Sequence, residues 1–92
     1  MSNKTNMLGA FSPYSCEINN DSKTAFDEAI KGLLGVIYAP VAVSQQVVAG
    51  MNYHFFCNTE SVTRNPVIGA VILSVYKPLK GDAHIINIKE IN

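Results

Sequence analysis

Few side chains in this sequence could carry covalent or acid–base chemistry. His54 lies close to Cys57, and His84 follows Asp82. A thiolate–imidazole pair needs its base within hydrogen-bond reach of the sulfur. His54 and Cys57 are separated by an odd offset of three, so in a regular strand they point to opposite faces. No CxxC or HExxH spacing is present to hold a metal. The sequence therefore predicts a non-enzyme with no metal and no cofactor, His54 on a strand surface and His84 beside a hairpin. Cys57 follows Phe55 and Phe56 in a strand-like run, where a small core residue is expected. Cys16 and Cys57 could form one disulfide, but two free thiols are the expectation for a reducing compartment.

The chemistry that remains is recognition. Residues 45–56 read QQVVAGMNYHFF. One continuous strand over residues 41–58 would be 18 residues long, far beyond the usual 5–6. Gly50 would weaken such a strand at its middle, whereas at a turn it supplies a positive φ without penalty. A hairpin tip is therefore expected within residues 46–50. Val47 and Val48 then sit at an exposed turn, where Asn, Asp or Gly is usual. A local rule broken with no folding benefit points to function, and exposed apolar residues point to a partner.

The elements that must position this tip follow from periodicity. Residues 19–22, Asn-Asn-Asp-Ser, favour a turn or a helix cap. Phe26, Ala29, Ile30 and Leu33 then recur at i, i+3, i+4 and i+7, which predicts one helix of about three turns. Thr24 with Asp27 offers a capping pattern, Ser22 competes for the cap, and Gly35 is expected to end the helix. After Gly35 the chain reads as strand. The runs are residues 36–46, with Pro40 at an edge or bulge, then 51–58, 67–76 and 83–91. A polar loop, NTESVTRNP, and a turn-like KPLKGD separate the later runs. Tyr53, Phe55 and Phe56 are expected in the core and on the sheet surface. Strands joined by short loops make an antiparallel meander, and one helix can cover only one of its faces. The fold class is α+β: a single helix packed on a four- to five-stranded antiparallel sheet.

The bulk properties fit one small domain spanning residues 1–92. The chain has 92 residues, 48% of them apolar and 15% charged, with zero formal net charge. No basic stripe suits nucleic acid or an anionic membrane surface, so neither partner is expected. The apolar run at residues 7–11 is too short for a secretory signal, and Ser12-Pro13 interrupts it. A cytoplasmic protein is the expectation.

Gln46-Val47-Val48-Ala49-Gly50 resembles the Gln-x-Val-x-Gly hairpin of the cystatins, which inhibit papain-like cysteine proteases, and it matches the commonest form at every position. Asn52-Tyr53 resembles the family's continuation onto the next strand, and the order of N-terminal segment, helix and strands is similar throughout. Without an export signal the chain is most similar to the stefins, the small unexported branch. Met7-Leu8-Gly9-Ala10 resembles their N-terminal trunk.

This resemblance implies a cystatin-like fold, five strands around one helix, with residues 1–10 as a flexible trunk. It also implies a reversible, competitive, tight-binding inhibitor. The trunk (Leu8, Gly9), the first hairpin (Gln46, Val47, Val48, Ala49, Gly50) and a second loop (Pro78, Leu79) would wedge into the cleft of a cathepsin-type protease. The second loop departs from the pattern, since Pro78-Leu79 stands where secreted cystatins carry Pro-Trp and stefins commonly Leu-Pro, and the chain has no tryptophan. A monomer is expected. The alternative is a binding or scaffold module that uses the same fold for a non-protease partner, possible as a domain-swapped dimer opened at the residue 46–50 hairpin.

Overall fold

The computed structural model describes residues 10–91. One helix, α1 (Asn20–Ile30), precedes four strands: β1 (Val36–Val48), β2 (Gly50–Ser61), β3 (Ile68–Lys77) and β4 (His84–Glu90). The helix starts three residues earlier than a cap at Ser22, and five earlier than one at Thr24, would place it. Asn19 is the N-cap, and its side-chain oxygen accepts the Ser22 N–H at 2.9 Å. Ser22 turns its hydroxyl back onto Asn19 and is buried. Asp21 places a negative charge in the first turn, where the helix dipole favours it.

The helix also ends earlier than expected. Its last turn tightens as the Lys31 N–H donates to the Glu28 carbonyl and the Leu33 N–H to that of Ile30. Gly32 makes continuation costly by about 1 kcal/mol relative to alanine. Leu33 therefore leaves the helical stripe. Gly35 does not end the helix; it turns the chain into β1 with φ +88°.

The sheet order is β1-β2-β3-β4, with every neighbouring pair antiparallel. Pro40 lies on edge strand β1 at a register shift, the setting that tolerates its missing N–H. β2 runs past Asn58 to Ser61, into residues expected as loop. Asn58, Thr59 and Glu60 pair with β1 on one side and β3 on the other, and this two-sided pairing outweighs their polar composition. Outside β1, residues 12–15 add a short fifth strand-like stretch. Ser12 N–H donates to the Gln45 carbonyl, and Ser15 and Val43 exchange two backbone bonds.

Alternation along β2 turns Tyr53, Phe55 and Cys57 into the core, where they meet Val43, Val71, Leu73, Val75, Ala25 and Phe26. Phe26 of the helix packs edge-on against Phe55, with ring centroids 5.2 Å apart. The helix lies over β3 and β4. Among the described residues no helix covers the opposite face. There Tyr14, Ala42, Phe56, Ile72 and Ile91 line an open groove of about 370 Å3. Among the described residues no helix is long and apolar enough to cross a membrane.

Candidate functional site

Register carries β1 and β2 to a very tight tip. Gln46 pairs with Asn52, Val47 with Met51 and Val48 with Gly50, which leaves Ala49 alone at the apex. Gly50 closes the turn with φ +104°, a backbone state L side chains rarely adopt. Asn52 Nδ2 donates to Gln46 Oε1 at 2.8 Å, tying the two strands just below the tip. Val47 is 53% exposed, Ala49 is exposed and Val48 is half-buried. The expected apolar tip is thus present, and its pairing is regular to within one residue of the apex.

The end of β3 lies beside this tip. Tyr76 pairs with Asn52 and Lys77 with Met51, and the Tyr76 hydroxyl donates to the Ala49 carbonyl. Gly50 approaches this strand closely. A Cβ on Gly50 would stand 2.3 Å from the Lys77 carbonyl oxygen and 3.1 Å from Pro78 Cα. The second loop, residues 78–83, therefore begins against the first. Pro78 is half-buried, whereas Leu79 is 79% exposed.

A clamp at the base holds this loop. Glu28 Oε1, from the helix, accepts the Ala83 N–H at 2.9 Å and faces Lys77 Nζ at 3.4 Å. Lys77 Nζ also donates to the Gly81 carbonyl at 2.6 Å, and Gly81 takes φ +111° to make the turn. The Ala83 N–H holds the Glu28 carboxyl below its usual range, with Lys77 and Lys31 acting in the same direction against some loss of hydration. The carboxylate is charged at neutral pH, and the clamp is closed.

The N-terminal stretch reaches the same end of the sheet. Residues 12–15 run antiparallel to β1, so going back from Ser15 to Ser12 moves from Val43 to Gln45, toward the tip. Phe11 stacks flat on His54, with centroids 4.1 Å apart. Leu8 and Gly9, the trunk residues, lie outside the described residues.

The reactive side chains do not come together. His54 stands under Phe11, where burial lowers its pKa, while Cys57 is fully buried on the other face. Burial pushes the Cys57 thiol up to about 11, away from the thiolate a nucleophile needs. Cys16 and Cys57 are free thiols, one exposed and one buried. His84, expected beside a hairpin, opens β4 right after the second loop and packs edge-on against Tyr76 at 5.7 Å. Among the described residues no group of three His, Cys, Asp or Glu could hold a metal.

The structure thus joins Gln46, Val47, Val48, Ala49 and Gly50 with Pro78 and Leu79 at one end of the sheet. Sequence reasoning missed Tyr76, Lys77 and Glu28, which hold that end together. Glu28 lies off the apolar stripe of the helix, and Tyr76 and Lys77 flank a turn, so only the strand register discloses their partners. Compared with known proteins, the chain matches no family model, no curated protein and no solved structure.

Proposed function

We propose that this chain is a reversible, competitive inhibitor of papain-like cysteine proteases, working as the stefin branch of the cystatins does. The observation that carries this reading is the Gln46-Val47-Val48-Ala49-Gly50 tip, a tight hairpin that exposes Val47 and Ala49, bears the family's motif and adjoins a second loop with Leu79 exposed. A papain-like cleft is an apolar-lined slot, and Val47, Val48 and Leu79 offer it desolvation with few polar groups to bury. Leu8 and Gly9 join the wedge on the resemblance alone.

Magnitudes say what the wedge needs. Three such side chains supply at most about 5–9 kcal/mol on burial. Association costs about 4–15 kcal/mol in lost freedom, so these contacts alone do not make a tight complex. Backbone contacts from the tip, together with the trunk, must add the rest. A preformed hairpin also lowers the ordering cost. Because the tip enters as a closed turn, it offers the protease no extended peptide bond to cut.

The protein in this reading acts as a cytoplasmic monomer, a setting in which two free thiols persist. The test is titration of papain with monomer isolated by size exclusion. Reversible loss of activity that excess substrate overcomes is the expected result. No inhibition at micromolar excess of folded monomer would sink the proposal and favour a scaffold module for a non-protease partner.

A further inference from the structure

We infer that Tyr76 and Lys77, consecutive residues at the end of β3, are positioning residues that hold the two loops of the proposed wedge at a fixed spacing. The inference rests on the inhibitor reading of those loops. Its starting point is the apex of the first hairpin. Val48 pairs with Gly50, so Ala49 has no partner across the turn and its carbonyl lies beyond the ladder. The Tyr76 hydroxyl reaches that carbonyl from the neighbouring strand. A tyrosine has only two side-chain torsions, so it gives up little entropy to hold a fixed point.

Lys77 grips in two ways. Its carbonyl packs against Gly50 so closely that no side chain fits between them. Its ammonium reaches forward to the Gly81 carbonyl and to Glu28, which also binds the Ala83 N–H. One residue therefore touches the first loop with its backbone and the second with its side chain.

Alternation places the two grips on opposite faces of the sheet. The Tyr76 ring meets His84 on the face away from the helix, while the Lys77 ammonium meets Glu28 on the helix side. The loops are thus held from both sides and cannot swing about β3 as a hinge. Two loops already held at a fixed spacing need less ordering as they dock, which is the benefit of preorganisation. Neither side chain belongs to the buried core, so the core packs without these grips.

The test compares the parent with Tyr76→Phe, which keeps the ring and loses the hydroxyl, and with Lys77→Met, which keeps the stem and loses the charge. Both variants should melt within about 5 °C of the parent. The {1H}-15N NOE should fall at Ala49 and Gly50 in Tyr76→Phe, and at Leu79 and Gly81 in Lys77→Met. Papain affinity should weaken about 3- to 10-fold in Tyr76→Phe, the worth of one hydrogen bond. It should weaken at least as much in Lys77→Met, which loses the ties to both Gly81 and Glu28. Unchanged NOE values overturn the inference, and so does unchanged affinity in a variant whose loop has loosened. A parent that fails to inhibit papain overturns the inhibitor reading by itself, before any variant is compared.

Discussion

Gly50 meets two requirements at once. Its φ of +104° suits the turn, and the absence of a Cβ lets the Lys77 carbonyl approach. The first was legible in the sequence as a glycine closing an apolar hairpin. The second was not, because the β2–β3 register decides which residue lies opposite. Gly50→Ala therefore strains the backbone by about 1–2 kcal/mol and also pushes against a main-chain oxygen that cannot rotate away. We predict a melting temperature lower by about 5–15 °C for Gly50→Ala, read by thermal unfolding. Gly50→Arg carries the same strain, so a loss of inhibition there would mix contact with displacement of the second loop. Val47 separates the two. It is half-exposed at the tip and outside the core, so Val47→Ser should leave the melt nearly unchanged and weaken papain binding about 10- to 100-fold. An equal loss of melting temperature in both variants would contradict this separation.

Each element was read with different success, and the misses share a cause. The helix stripe through Phe26, Ala29 and Ile30 was visible from periodicity, but Leu33 at the next position was not excluded by it. Backbone cost at Gly32 and a tightened last turn, not the apolar pattern, set the end of α1. At the other end, Asn19, Ser22 and Thr24 are all competent caps, and only the fold selects Asn19. The strands were placed by composition and punctuation, except that β2 continues through polar residues held by partners on both sides. The clamp from α1 to the start of β4 had no local signal, because Glu28 and Ala83 are 55 residues apart. Its pH response follows from Glu28. The folded carboxyl lies below its ordinary value of 4.5, so the clamp's contribution is fully present above that value and is lost as pH falls through the lowered one. Glu28→Gln can still accept the Ala83 N–H but has no charge to lose. Melting curves from pH 7 down to about pH 3 should therefore show a steeper acid decline for the parent than for Glu28→Gln. Parallel declines would show that Glu28 does not contribute to the acid limb.

The whole molecule divides its labour along the strands. Phe55 and Leu73 pair at the middle of the sheet beneath Phe26 and are fully buried, while the loops stand at one end. Leu73 is four residues from Lys77 on the same strand, about 13 Å away at the usual rise. Stability is therefore set mainly by the central core, with a smaller share from the Glu28 clamp, and the spacing of the loops by Tyr76, Lys77 and Glu28. A domain of this size has about 5–14 kcal/mol of stability in total. Leu73→Ala removes about 2–5 kcal/mol of it, because the cavity adds to the lost transfer energy. That corresponds to a fall of about 10–30 °C in melting temperature. Measured in the cold, where most of the variant is still folded, its affinity for papain should stay within about twofold of the parent once the folded fraction is counted, because none of the loop ties passes through Leu73. If affinity instead falls in step with stability, the core and the loops form one cooperative unit, and the ties at the end of β3 do not fix the wedge by themselves.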